Sequence, residues 1–300
     1  MVWIKDKAYD SLVRLVRFAT HENLCYELRR QSLTQSALTS SEPGVCDTRY
    51  LPGSDVVVSL TTYGKRLGDV YLPIEGVMGS SLKPNRIILW LAEDLRGAAL
   101  PHTLQRQMKR GLEVRFCRDI KSYKKLIPTM LECPRDHVVT LDDDIIYRFD
   151  VVENLVRACQ RDDSFVYCTR AHRIRLNDKG MPLPYNSWDM VIDDDLVSPL
   201  TFPTGGGGTI YPPKERFDDE LFNEEVFMDI CRGADDIWFK AMELLSGIPV
   251  RKVVSQQDSL LFSEYNQETA LRVANVELCQ NDIYLKAVFS RYGLYEKLKG

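Results

Sequence analysis

Three consecutive carboxylates interrupt an apolar stretch of the chain. In HVVTLDDDIIYRFD, Asp142, Asp143 and Asp144 follow Val138 and Val139 and precede Ile145, Ile146 and Tyr147. Adjacent carboxylates repel one another, and such flanking residues argue against a solvated acidic turn. A hard divalent cation, Mg or Mn, is the natural counter-charge. Side chains alternate along an extended strand, so Asp142 and Asp144 are expected to converge on the metal. Asp143 should point the other way, toward a ribose or the fold itself. A cation held there neutralises charge growing on a departing phosphate without proton transfer, which suits a nucleoside diphosphate leaving group.

A second acidic pair, Asp235 and Asp236, opens ADDIWFKAMELL, in which Ile237, Ala241, Leu244 and Leu245 share a helical face. Capping accounts for one aspartate and leaves the other for chemistry, its ionised form favoured by the helix dipole. Four successive glycines, Gly205 to Gly208, sit inside TFPTGGGGTIYPP. In mid-domain they cost backbone entropy, so they point to close approach or unusual dihedrals rather than a linker, with TIYPP reading as an edge strand and turn. Ser59, Thr61, Thr62 and Tyr63 supply hydroxyls and a ring after one apolar run, and Lys65 and Arg66 follow.

The elements that must position these residues are short β-branched runs alternating with longer helical stretches. DVVVSLTT, RIILWLA, LEVRFC and HVVTLDD are apolar without a break, as strands covered on both faces should be. The stretches 69–81, 101–110 and 122–132 can hold crossover helices. The expected fold is therefore α/β, a mostly parallel Rossmann-like sheet with helices on both faces. The triplet then ends a buried strand, where ligands bind in open α/β sheets. No G-x-G-x-x-G and no P-loop is present. Residues 1–30 read as a helical arm, amphipathic and basic over 4–18, suited to a membrane surface or a partner. Residues 31–54, rich in Ser, Thr, Pro and Gly, read as a linker, and 55–300 as the main domain.

Six blocks together resemble the GT-A glycosyltransferases, in particular bacterial capsule and lipopolysaccharide (surface polysaccharide) transferases. In order they are SLTTYGKRL (59–67), KPNRIILWLAEDL (83–95), DIKSYKKLIP (119–128), TLDDDIIY (140–147), GGGGTIYPP (205–213) and ADDIWF (234–239). The resemblance covers residues 55–245 and implies a GT-A fold and a nucleotide-sugar donor, with UDP favoured. It implies Asp142 and Asp144 as metal ligands for Mn or Mg. Base, ribose and phosphate contacts would come from Ser59, Thr61, Tyr63, Arg66, Asp119, Lys125 (before Lys124) and Asp143. Gly206 and Gly207 would lie beside the donor sugar. Asp236 would be the base that deprotonates an acceptor hydroxyl and Asp235 its orienting partner; in retaining relatives this acid binds substrate instead. The pattern departs at one point. All four histidines, His21, His102, His137 and His172, precede Asp235, so no late histidine can add to the metal site, and Asn281 and Asp282 stand in that region.

The 300 residues carry a net charge of −4, with 44% hydrophobic and 27% charged residues. That balance excludes disorder and gives no field for nucleic acid. Eight dispersed cysteines without C-x-x-C read as buried thiols of a reducing compartment. No apolar run reaches the ~20 residues of a membrane span. A cytoplasmic enzyme at the inner face of the membrane is the expectation, with a glycan or lipid-linked glycan as acceptor. Two alternatives stay open. A nucleotidyltransferase shares the fold but usually carries a glycine-rich basic loop where this chain has LTTYGKRL; a catalytically silent binding protein would not need intact aspartates.

Overall fold

The computed structural model describes residues 24–253, 261–262 and 280–299. The basic helix expected over residues 4–18 lies outside them. A seven-stranded sheet forms the centre, in the order β10-β6-β9-β4-β1-β2-β3. Its strands are β1 (Val56–Thr61), β2 (Arg86–Ala92), β3 (Leu112–Cys117), β4 (His137–Thr140), β6 (Val166–Cys168), β9 (Thr209–Tyr211) and β10 (Val250–Lys252). β9 pairs antiparallel with both β4 and β6, while every other pairing is parallel, so six strands run one way and β9 alone runs against them. Two small antiparallel pairs stand apart: β5 (Ile145–Ile146) with β11 (Leu261–Phe262), and β7 (Ala171–Arg173) with β8 (Thr201–Pro203).

Pleating sends alternate residues to opposite faces, and each face has its own core. Val56, Val58, Leu60, Leu89 and Val139 join α2 (Tyr71–Met78) and α5 (Val151–Arg161) on one side. On the other, Val138 packs with Tyr123, Met130, Phe227, Trp238 and Phe289 from α4 (Ile127–Glu132), α6 (Glu224–Ile230), α7 (Asp235–Ser246), α8 (Gln280–Tyr292) and the turn before α4. Side chains of this size each contribute about 1.5–3 kcal/mol relative to exposure. Double coverage is why the runs of β1, β2 and β4 read as continuously apolar. β3 departs from that expectation: it is the sheet edge and only Leu112 is fully buried.

Two further expectations are corrected. Residues 24–39 are helical (α1), so the first part of the supposed linker is a packed element. Tyr26, Leu33 and Ala37 enter the core shared with α2, and Ser36 Oγ donates to the buried Glu75 at 2.7 Å. TIYPP is not an edge strand, because β9 lies in the interior of the sheet, hydrogen-bonded on both sides. Among the described residues no helix is long and apolar enough to cross a membrane.

Candidate active site

The chain leaves β1 for β2 on one side and, after α3 (His102–Met108) and β3, returns to lay β4 on the other. The strand order reverses there, and a crevice opens at the carboxyl ends of β1 and β4. A cleft of about 500 Å3 occupies it. Its walls are the loop after β1, the turn after β3, the acidic triplet after β4, the glycine turn between β8 and β9, and the starts of α7 and α8.

β4 ends at Thr140, so Asp142, Asp143 and Asp144 occupy a turn rather than the strand end expected for them. The Asp142 N–H donates to the Tyr147 hydroxyl at 2.8 Å, pinning the turn, and all three carboxylates line the cleft. Asp143 goes deepest. It accepts from Thr62 Oγ1 at 2.6 Å and from Arg66 at 2.9 Å, and the same guanidinium reaches Asp144 at 3.1 Å. Burial, then the neighbouring Asp142, pushes the Asp144 carboxyl up to about 6. Arg66 is thus an anchor of the triplet as well as a lining residue, and the Tyr63 ring lies 5.5 Å beneath it.

Lys125 Nζ is 2.9 Å from Asp142 and 3.1 Å from Asp235. Burial opposes its charge, yet Asp142, Asp235 and Asp236 outweigh that and hold it protonated. Lys124 also faces the cleft, paired with Asp119, which Lys121 approaches at 2.6 Å. Partial burial works against ionisation of Asp119, but the two lysines keep it well below the usual carboxylate range.

α7 begins where the sequence places it, at Asp235. Asp235 accepts from Ser122 Oγ at 2.7 Å. Asp236 accepts the Gly205 N–H, 3.1 Å from each carboxylate oxygen. Burial, then the charge of Asp235, pushes the Asp236 carboxyl well above its ordinary range. Gly205–Gly207 form a 3-10 turn, and two of the three lie too close to neighbours for a side chain to enter without a shift. A Cβ on Gly205 would stand 2.7 Å from Lys125 Nζ and 2.8 Å from Asp236 Oδ1; one on Gly207 would meet Arg170 at 2.3 Å.

The cleft therefore gathers Thr61, Tyr63, Arg66, Asp119, Lys125, Asp142, Asp143, Asp144, Gly206, Asp235 and Asp236. Two expected donor contacts do not reach it. Ser59 lies two residues inside β1, fully buried with its hydroxyl on Thr129 at 2.7 Å, and Gly207 turns toward Arg170. Sequence reasoning passed over Ser122, Tyr185 and Phe202, which also line the cleft. The only signal for Tyr185 is aromatic density in an otherwise polar loop, PLPYNSWD. His137 and His172 are buried hydrogen-bonding residues, His137 Nδ1 2.7 Å from Ser54 Oγ and His172 Nδ1 accepting the Val191 N–H.

Among the described residues no three His, Cys, Asp or Glu side chains form a closed metal cage. The residues do fit an open site: Mg keeps several waters and binds through one or two carboxylates plus substrate phosphates. Six carboxylates along the lining face four basic side chains, Arg66, Lys121, Lys124 and Lys125, which leaves room for a further cation.

No protein-family model and no curated protein matches the sequence. Among solved structures, a CMP:2-keto-3-deoxy-manno-octonic acid synthetase complexed with CTP aligns over 66% of this chain and 89% of its own. The identity is 12% and the TM-score 0.39. An overlap that loose carries no functional argument, and the Rossmann-like α/β architecture rests on the strand order itself.

Proposed function

We propose that this cleft transfers a sugar from a nucleoside diphosphate sugar, a UDP-sugar by the sequence resemblance, to a hydroxyl of a glycan or glycolipid. The observation that carries the reading is the convergence of the triplet, Lys125 and the acid pair Asp235–Asp236 in one crevice at the switch of strand order. Thr61, Tyr63 and Asp119 line the end suited to base and ribose. Asp142 and Asp144 would hold Mg or Mn, which supplies charge neutralisation for the diphosphate. Asp236, fixed by the Gly205 N–H, takes the proton of the acceptor hydroxyl as its oxygen bonds to the sugar C1 and the bond from C1 to the diphosphate breaks.

A base separates this reading from nucleotidyl transfer to a sugar phosphate, whose attacking group is already an anion; transfer of a nucleotide to a sugar hydroxyl needs the same base and is separated by its product. A triphosphate plus a sugar phosphate would also bring far more negative charge into a lining where carboxylates outnumber cations. The test is product identity. Release of nucleoside diphosphate, dependent on Mn and on an added glycan, supports the proposal. Pyrophosphate release from a nucleoside triphosphate, with either a sugar phosphate or a free sugar as acceptor, overturns it, as does binding without any turnover.

A further inference from the structure

One end of the cleft is left over when the nucleotide end has been assigned. There the 3-10 turn Tyr185–Ser187 meets the first turn of α8. Tyr185 is held from behind: its ring is 4.7 Å from Trp188, 5.9 Å from His172 and 6.1 Å from Phe202. Its backbone N–H donates to Asp282 Oδ1 at 2.7 Å, which ties the turn to α8. The phenol makes no hydrogen bond among the described residues, and burial, then the charge of Asp236, pushes it up, so it neighbours the base. Asn281, one position before Asp282, is only 7% exposed and lines the cleft. Its amide likewise makes no hydrogen bond among the described residues. The amide opens on the cleft, where a ligand hydroxyl takes the place of water.

We propose that Tyr185 and Asn281 form the acceptor subsite and take an uncharged pyranose, which lies on the Tyr185 ring while its hydroxyls bond the Asn281 amide and the phenol. An apolar ring face bordered by amide and hydroxyl groups is complementary to a sugar, which has C–H faces and hydroxyl rims. The sugar is uncharged because, among the described residues, the basic side chains lining the cleft are already paired with carboxylates: Lys125 with Asp142 and Asp235, Lys121 and Lys124 with Asp119, and Arg66 with Asp143 and Asp144. Asp282 is a positioning residue that acts through the Tyr185 backbone. This subsite rests on the glycosyltransferase reading for its place in the reaction, but its binding is measurable without turnover.

The experiment titrates full-length protein with octyl glucoside and octyl glucuronide by saturation-transfer NMR and then measures acceptor and donor KM. The neutral glycoside should bind at least tenfold more tightly than the glucuronide. Y185A and N281A should each weaken it tenfold or more and raise acceptor KM to match, with donor KM moving far less. D282A should behave like Y185A, and D282N, which keeps the accepting oxygen, should restore affinity. Preference for the glucuronide, failure of the neutral glycoside to bind, or equal effects on donor and acceptor KM overturns the subsite. Glycoside binding that depends on Tyr185 in a protein that transfers no sugar keeps the subsite and overturns the transferase reading instead.

Discussion

A carboxyl is a base only when ionised, and Asp236 is held where that matters near neutrality. Burial and Asp235 raise its proton affinity, while Lys125 and the Gly205 N–H work in the other direction. A raised value brings the group closer to the pH at which it must accept a proton. Because the ionised form is the active one, kcat should climb as pH rises through the shifted value and level off above it. Asp236→Asn keeps the size and removes the acceptor, so donor binding should survive while kcat falls on the order of 10²–10⁴-fold and loses that acid limb. A wild-type profile that is flat from acid to neutral pH would remove Asp236 from the role. Asp143 is a different case. The sequence alone makes its loss milder than that of its neighbours, but it is 6% exposed and carries Thr62 and Arg66. Asp143→Ala takes a carboxylate partner from the largely buried Arg66 guanidinium and should destabilise the fold by about 2–3 kcal/mol, read from denaturant midpoints.

At the scale of elements, the glycine turn and α1 carry the sharpest consequences. Gly205→Ala should displace Lys125 or Asp236, whose side-chain atoms can shift, and so reduce transfer more than stability. Gly207→Ala meets the Arg170 backbone N at 2.8 Å and should reduce stability more than transfer. Comparing Tm with kcat in the two variants checks that opposite ordering. Leu33 is 6% exposed in the core beneath α2, so Leu33→Ala should cost about 2–5 kcal/mol, and removal of residues 1–30 should lower Tm by taking Tyr26 with it. A truncated protein as stable as the whole chain would show that residues 24–30 of α1 contribute nothing. These elements also mark where the sequence stops being readable. The runs of β1, β2 and β4 announce themselves because strands covered on both faces need apolar side chains at every position. Ser59, inside such a run, could not be told from Thr61, since only the point where β1 ends decides which of the two reaches the cleft; the Thr61 hydroxyl itself donates to the Trp90 carbonyl at 2.9 Å. The Ser- and Thr-rich composition of residues 31–39 hid a helix whose signal was the spacing of Leu33 and Ala37 alone. β9 read as an edge strand because Pro212 and Pro213 follow it, although both lie beyond the residues that pair.

For the whole molecule, the switch of strand order puts segments distant in sequence around one crevice, and their charges do not balance. Six carboxylates against four basic side chains leave a surplus of negative charge that, on the proposed function, a divalent cation and a diphosphate would relieve together. The cation alone meets two carboxylates and water; the nucleotide alone meets a negative lining. Each should therefore bind weakly by itself and more tightly with the other, and the coupling is reciprocal. A ligand at 100 times its Kd contributes about 2.7 kcal/mol to the folded state, which for a chain of this size moves Tm by roughly 4 °C. Mn with UDP should give a shift of that order, while Mn alone or UDP with a chelator should give much less. Asp142→Ala should abolish the difference between Mn and chelator without lowering the Tm of the free protein, because Asp142 is about a third exposed and its loss relieves repulsion. Lys125 would then keep Asp235 as its partner. Equal UDP-induced shifts with and without Mn in the wild type would mean that Arg66, Lys124 and Lys125 hold the diphosphate unaided, and the triplet would be left as an anchor for Arg66 rather than a metal site.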